Sequence, residues 1–140
     1  MRFVSLHSNF KLPVRSTNQA AAYDIFMPEH GSAGEYVAVR VPLGFAAEVP
    51  TGHVALLLPR SGVGSKSGLE LNNTCGVIDA DYRGEWVATL KVKHFPGTRW
   101  LAGDRILQFL IVPVLSVVPE LVDSLTPTER GEGGFGSTGV

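Results

Sequence analysis

The chain has 140 residues and a formal net charge of −1, with 44% hydrophobic and 18% charged residues. This length and composition indicate one folded domain with a substantial core and exclude a disordered chain. The nearly balanced charge lacks the excess of positive residues that would attract nucleic acid or an anionic membrane surface. We therefore expect neither as a partner.

The cysteine content and the first residues bear on the compartment. Cys75 is the single cysteine, which excludes an internal disulfide framework and fits a reducing environment. The sequence begins without an apolar run of signal-peptide length, and no later stretch is apolar enough to span a bilayer. We therefore expect a cytoplasmic protein.

The predicted elements are short strands separated by Gly, Pro, Asn and Asp, and no segment has a convincing helical period. In chain order the candidate strands are 35–41, 53–58, 86–93, 105–112 and 114–118. In the third, alternate residues from Trp86 to Val92 are apolar, which is typical of a half-buried strand. The pattern predicts an all-β sandwich or jelly roll over residues 1–121, followed by a linker and arm over 122–140.

The last eleven residues, 130–140, are the most informative segment. Five of them are glycine, so this segment is expected to be flexible by itself. It nevertheless carries a guanidinium (Arg130), an aromatic ring (Phe135) and two hydroxyls (Ser137 and Thr138). These groups favour an arm that closes over a phosphorylated, ring-bearing ligand, with a plain flexible tail as the alternative.

Residues 59–68 combine Arg60, several hydroxyls and three glycines after a predicted strand. The spacing does not satisfy a P-loop, because Arg60 stands at the first glycine position and Ser65 precedes Lys66. An anion-binding turn and an ordinary turn are equally compatible with this segment.

Residues 76–84 predict a strand that runs into a tight turn. Asp79 follows the apolar pair Val77 and Ile78, where a carboxylate is costly unless it has a partner or a function, so we predict a general base there. Asp81 is interpreted as a turn former. A calcium loop is rejected, since Arg83 would occupy a ligand position.

Two further segments are weaker alone. Asp24, within the apolar segment 21–25, is compatible with a satisfied structural carboxylate, and Asp104 with Arg105 is compatible with a surface ion pair. The histidines are scattered without metal-ligand spacing, so a zinc site built by the protein is not expected.

Together, segments 21–25, 59–68, 76–84, 103–110 and 130–139 resemble, in this order, the five motifs of the trimeric dUTPase family. The resemblance covers nearly the whole chain. Ala22 stands where the family usually has glycine, and Leu107 and Phe109 vary an apolar strand.

The resemblance implies a jelly-roll-like β fold that forms a homotrimer. Three active sites would lie at subunit interfaces, each assembled from three chains, with the Gly-rich arm of one subunit closing a site built by others. The implied reaction is Mg²⁺-dependent hydrolysis of dUTP to dUMP and pyrophosphate. It would limit uracil incorporation into DNA and supply dUMP for dTMP synthesis.

Residue roles follow from the same resemblance. Asp79 would activate the water that attacks the α-phosphorus, and the ring of Tyr82 would pack on the deoxyribose and reject UTP. Asp24 would hold the hydration shell of Mg²⁺, and Phe135 would stack on uracil. The uracil edge would be read by Asn73 and by the backbone of Gly76, Val77 and Ile78. Arg60, Ser61 and Gln108 would bind the phosphate chain or the waters of its metal ion, and Arg130, Ser137 and Thr138 would bind the terminal phosphates. Gly62 and Gly136 would also contact the substrate.

Other readings remain at this stage. A dCTP deaminase resembles the same fold, but its catalytic glutamate would fall at Thr89. A dUTPase-like regulatory protein acting on a protein partner would retain every motif. A purely structural jelly roll would have no use for the arm.

Overall fold

The chain forms eleven short strands and one short helix within residues 1–35, 37–93 and 96–134, which are the residues described by the computed structural model. The strands are β1 (Arg2–Ser5), β2 (Tyr23–Ile25), β3 (Gly31–Ala33), β4 (Val39–Pro42), β5 (Phe45–Glu48), β6 (His53–Pro59), β7 (Leu69–Leu71), β8 (Gly76–Ile78), β9 (Val87–Val92), β10 (Thr98–Trp100) and β11 (Leu107–Pro113). The helix is α1 (Ser61–Ser67). The prediction of an all-β fold is confirmed. Over the same ranges, no helix has the length and apolar character needed to cross a membrane.

The strands form two larger sheets and two ribbons. One sheet has the order β2-β11-β6-β8 and the other has the order β4-β9-β7, while β1 pairs with β5 and β3 pairs with β10. All of these pairings are antiparallel. In the four-stranded sheet, Gln108 lies opposite Asp24 on one side and opposite Leu58 on the other. This register places polar side chains of neighbouring strands on the same face of the sheet.

The two larger sheets contribute to one apolar core. Alternate residues of β9, namely Ala88, Leu90 and Val92, are fully buried, which confirms the period-2 pattern predicted for 86–93. They belong to the same cluster as Leu57 of β6 and Phe109 of β11. The inward faces of β6, β9 and β11 are apolar. Polar groups and groups that bind a partner therefore lie on the opposite faces of these strands.

Three aromatic rings fill the centre of this core. Trp86 packs on Phe45 with ring centroids 5.1 Å apart and meets Phe109 edge-on at 5.2 Å. Such tilted contacts between buried rings add to the free energy gained from burial of apolar area. The rings therefore hold the inner face of the four-stranded sheet. The candidate site lies on the same sheet, at the edge formed by β2.

Several predicted elements differ from the structure. The strand predicted at 114–118 is wrong: Val114 donates its N–H to the carbonyl of Gly52 at 2.9 Å, but no strand follows within the described residues. Leu115 is 91% exposed and Val118 is 93% exposed, so the apolar residues that suggested a strand have no covering face in this chain. The strand predicted at 35–41 is reduced to Val39–Pro42. Strands of three or four residues, such as β2 and β8, are too short to show a periodic pattern.

Helix α1 lies where a turn was predicted. Three serines and two glycines among seven residues give this segment a low intrinsic helix propensity. The flanking residues hold it instead: the N–H of Arg60 bonds to the carbonyl of Ile106 at 2.9 Å, and Gly68 ends the helix with φ 67°. This left-handed end is readily adopted by glycine.

Candidate functional site

A cleft of about 500 Å³ lies where β2, β11 and the start of α1 meet. Its polar lining consists of Ser16, Asp24, Arg60, Ser61, Gly62 and Gln108, and its floor includes the small residues Ala20, Ala21 and Ala22. Segments 21–25, 59–68 and 103–110, separated in sequence, thus contribute to one surface depression. Ala22, which replaces the glycine usual in the family, is part of this lining.

Asp24 is the centre of an ionic network at the cleft. It is 5% exposed, and its Oδ1 accepts from Arg60 Nε at 2.9 Å. Its Oδ2 accepts from Arg105 Nη1 at 3.1 Å and from the Ser16 hydroxyl at 2.8 Å. One carboxylate between two guanidinium groups leaves a net positive charge, which suits an anionic ligand.

Backbone carbonyls fix two of the side chains predicted to bind phosphate. Arg60 Nη1 donates to the carbonyl of Arg105 at 3.0 Å, and Gln108 Nε2 donates to the carbonyl of Pro59 at 3.0 Å. With Asp24 also bound to Arg60, the guanidinium is oriented before any ligand arrives. Such preorganisation reduces the entropy lost on binding.

Arg105 and Ser16 are site residues that the sequence reasoning missed. Asp104 and Arg105 do not form the surface pair with which their adjacency is compatible: Asp104 Oδ2 accepts from the N–H of Leu101 at 2.8 Å, while Arg105 reaches Asp24. The contact instead joins Asp24 of β2 to Arg105, two residues before β11 and far away in the sequence. Nothing in the loop around Ser16 marks this serine as a site residue.

The second group of predicted residues lies on β8, at the other edge of the sheet. Gly76 is buried, and a Cβ at this position would lie 3.0 Å from the Cβ of Leu57. Close packing against β6 therefore favours a glycine here, independently of any ligand, because a larger residue would push Leu57 aside by a few tenths of an ångström. Val77, on the outer face, is 62% exposed.

Asp79 and Asn73 flank β8 and are both exposed. The expectation that Asp79 is desolvated by its apolar neighbours is therefore wrong for the single chain. Val77 points outward, so the apolar pair does not enclose the carboxylate. The proposed role of Asp79 as a base remains a prediction.

The turn after Asp79 is held by its own side chains. The N–H of Tyr82 donates to the carbonyl of Asp79 at 3.2 Å, and the Tyr82 hydroxyl donates to the carbonyl of Glu85 at 3.0 Å. Arg83 Nη1 donates to the carbonyls of Ala80 at 2.8 Å and Tyr82 at 3.1 Å. These bonds give Tyr82 a defined position beside the carboxylate.

The structure does not bring the two groups together within one chain. Asp24 on β2 and Gly76 on β8 lie at opposite edges of the sheet, three strand spacings or about 14 Å apart. Among the described residues, none from β8 or its turn lines the cleft. Arg130 is exposed, and its Nε donates to the carbonyl of Gly133 at 3.0 Å. Phe135, Gly136, Ser137 and Thr138 lie outside the described residues.

The cleft offers few protein ligands for a Mg²⁺ ion. Asp24 is the one carboxylate in its described lining, and the described residues contain no group of three His, Cys, Asp or Glu side chains placed to hold a metal. Mg²⁺ commonly keeps several waters and takes few protein carboxylates when phosphates supply the remaining ligands. The donor set therefore fits an ion carried mainly by a phosphate chain and not one held by protein ligands alone.

The fold and the cleft define an all-β protein with a preorganised cationic cleft. The chain belongs to the dUTPase family, whose family model matches residues 8–139. This confirms the family predicted from the five motifs.

Named relatives and solved structures agree with this assignment. Proteins named deoxyuridine 5'-triphosphate nucleotidohydrolase match from Dictyoglomus turgidum, at 38% identity over 96% of this chain and 95% of the relative, and from Syntrophotalea carbinolica, at 40% identity over 96% and 92%. A structure of the Staphylococcus bacteriophage 80alpha dUTPase with dUpNHpp superposes with a TM-score of 0.87 at 29% identity, covering 99% of this chain and 98% of the phage chain. The similarity to dUTPase structures confirms the predicted jelly-roll fold.

Proposed function

We propose that this protein hydrolyses dUTP to dUMP and pyrophosphate by attack of water on the α-phosphorus. The observation that carries the proposal is the convergence of Arg60, Ser61, Gly62 and Gln108 in one cationic cleft. The curated relatives are named for this activity, and the phage structure holds dUpNHpp, an imido analogue of dUTP.

The cleft residues would bind and align the phosphate chain. Phosphoryl transfer depends mainly on positioning and charge neutralisation, which the fixed guanidinium groups of Arg60 and Arg105 can supply. Gln108, held by the carbonyl of Pro59, would contribute a neutral contact. Bound Mg²⁺ would neutralise charge on the phosphate oxygens, with Asp24 accepting a hydrogen bond from one of the ion's waters.

The residues around β8 would bind the nucleoside and supply the base. Asp79 would accept a proton from the attacking water at its carboxylate oxygen, and the exposed edge of β8 would present backbone groups to uracil, with Asn73 beside it. Tyr82 would pack against the deoxyribose, where a 2'-hydroxyl would collide with the ring. Exposure of Asp79 in one chain is compatible with this role, because the water and the nucleotide must reach it.

A homotrimer with shared sites would unite the two groups of residues. The outer face of the four-stranded sheet carries half-buried apolar side chains, including Leu56, Leu58, Leu110 and Val112. An apolar face of this kind suits contact with another copy of the chain. The exposed segment 114–125 would lead the arm away from its own core, so that residues 122–140 serve a neighbouring site.

The test is pyrophosphate release with Mg²⁺ from dUTP, dCTP, dTTP and UTP, measured in parallel with ammonia release from dCTP. We expect pyrophosphate from dUTP at a rate far above that from UTP, dCTP or dTTP, and no ammonia. Ammonia from dCTP would instead support the deaminase alternative, although Thr89 of β9 provides no carboxylate. Absence of pyrophosphate from dUTP under these conditions would refute the proposed activity.

The single half-buried Cys75 supports the cytoplasm as the compartment for this reaction.

A regulatory role acting on a protein partner is a second candidate. It is favoured by the similarity to the bacteriophage 80alpha protein, one of the phage dUTPases that control transfer of virulence genes by a proto-oncogenic G protein-like mechanism. Affinity capture of a partner with and without dUpNHpp tests this role. A partner whose binding depends on the nucleotide would support it, and equal capture in both conditions would contradict a nucleotide switch.

A further inference from the structure

The ring of Tyr82 lies directly over Gly84. A Cβ built at Gly84 would lie 2.4 Å from the Tyr82 hydroxyl oxygen, 2.6 Å from Cζ and 3.0 Å from Cε2. Real Cβ atoms do not approach other atoms this closely, so any side chain at position 84 must displace the ring. The present ring position, with its hydroxyl bonded to the carbonyl of Glu85, therefore depends on the absence of a Cβ at Gly84.

The backbone of the turn is braced, so the ring would move in preference to the main chain. Arg83 bonds to two carbonyls within the turn, and its Nε lies 3.6 Å from Glu48 Oε1 on β5. On the far side, Glu85 Oε1 accepts from the N–H of Gly44 at 3.0 Å. The atoms that meet the added Cβ are the far end of a partly exposed side chain, which can rotate away at little expense to the fold.

We propose that Gly84 is a positioning residue for sugar specificity, acting through the ring of Tyr82. The inference rests on the proposed function, in which that ring contacts the deoxyribose. With alanine at position 84 the ring would lose its support and its bond to Glu85, and the space beside C2' would no longer be closed. A ribonucleotide would then be excluded less strictly, while the phosphate cleft at the other edge of the sheet would be unchanged.

The experiment compares kcat/KM for dUTP and UTP in the wild type, Gly84→Ala and Gly34→Ala. The ratio of the two values should fall about 10-fold in Gly84→Ala, in line with discrimination based on the fit of one small group. Gly34 is the matched control, because a Cβ there meets no atom of the described residues within 4 Å. Its variant should keep the wild-type ratio.

A double variant separates an effect through Tyr82 from general damage. In a Tyr82→Ala background, Gly84→Ala should cause no further change in the ratio of kcat/KM for dUTP to that for UTP. The effects of two substitutions do not add when both residues act through the same contact. If Gly84→Ala fails to fold, Tyr82→Ala/Gly84→Ala should recover the fold, since the clashing ring is gone.

Two results overturn the inference alone: an unchanged ratio in folded Gly84→Ala beside a wild type that prefers dUTP, or a fold that the double variant does not recover. A wild type that hydrolyses neither nucleotide, or both equally, refutes the proposed function or its sugar contact, and the inference with it.

Discussion

Asp79 and Asp81 form a natural pair for testing the proposed base, since both are exposed and lie two residues apart on the same turn. We expect Asp79→Asn to lower kcat by about 10²- to 10⁴-fold, the usual contribution of a positioned general base, while dUpNHpp still binds. The amide keeps the size of the carboxylate but cannot accept the proton. Steady-state pyrophosphate release and calorimetric binding of dUpNHpp are the two measurements.

Asp81→Asn is the control for that experiment and should remain close to wild type in both measurements. Loss of analogue binding in step with kcat in Asp79→Asn would contradict a role confined to the chemical step. The comparison requires both variants to show the same thermal unfolding midpoint as the wild type.

Thr74 has a strained backbone conformation and lies next to the residues proposed to bind the nucleoside. It is the only non-glycine residue with positive φ in the described ranges, at 68°, and it lies between Asn73 and β8. A β-branched residue in the left-handed region loses about 1–2 kcal/mol, whereas asparagine adopts this region more readily. We expect Thr74→Asn to stabilise the fold by about 1 kcal/mol, measured by chemical unfolding at a fixed protein concentration.

Thr17→Asn, at an exposed position without positive φ, is the control for the chemistry of the substitution. It should change the unfolding free energy little. Equal stabilisation in both variants would show that relief of strain at Thr74 is not the cause.

At the residue scale, the residues around the cleft could be named from the sequence, but the hydrogen bonds between particular pairs of them could not. Asp24 and Gln108 lie opposite each other in the antiparallel register, and Arg60 joins them in the lining of the cleft; their grouping followed from the resemblance and not from a local pattern. Arg105 was not predicted as a partner of Asp24, since pairing across 81 positions of sequence leaves no local signal. Exposure of Asp79 was also missed, because an apolar neighbour indicates burial only when its side chain points inward.

At the element scale, the predictions depended on the length of each strand. The six residues of β9 are long enough to show alternation, and their buried face was correctly assigned. The three-residue strands carry too few side chains for a period. Helix α1 forms from weak helix formers because Arg60 is bonded to the segment just before β11 and Gly68 ends the helix. The arm-proximal segment 114–118 has strand-forming residues but no partner within the described part of this chain.

The pair of β7 and β9 supplies a pH-dependent contact away from the site. Glu70 Oε2 lies 2.8 Å from Lys93 Nζ, and Glu70 Oε1 lies 3.3 Å from Lys91 Nζ. The hydrogen bond from Lys93, with a smaller effect of Lys91, lowers the pKa of Glu70 below its ordinary value of 4.5. A lowered carboxyl pKa stabilises the folded state above the unfolded pKa, and this contribution is lost as the pH falls through the folded pKa.

We therefore expect Glu70→Gln to unfold at a lower temperature than the wild type at neutral pH, with a difference that shrinks as the pH falls below about 4.5. Added salt should also reduce the difference, because exposed ion pairs are screened. Thermal scans across this pH range provide the measurement, with Glu120→Gln, an exposed position beyond the strands, as the control. A difference that stays constant with pH would contradict the ionic origin.

At the scale of the whole molecule, the incomplete cleft and the apolar outer face have the same explanation. One chain separates the phosphate-binding residues from Asp79 and Tyr82 by the width of a sheet, and in the described residues the hydrogen bonds around Arg130 stay within the arm. A trimer in which each site takes one group from each of three chains would resolve both observations. Light scattering of the intact protein should then give three times the chain mass.

Deletion of residues 130–140 tests the arm independently of the core. The described part of this segment makes its hydrogen bonds within the arm and none to the sheets, so the truncated chain should fold and keep the oligomeric state of the intact protein. Loss of the arm would leave the nucleotide open to water and its phosphates without Arg130, and kcat/KM for dUTP should fall about 100-fold or more. Arg130→Lys, which keeps the charge but loses the planar fork, should show an intermediate loss. Near-normal turnover by the truncated trimer would refute closure by the arm, whereas dissociation into monomers would show that the arm holds the assembly together.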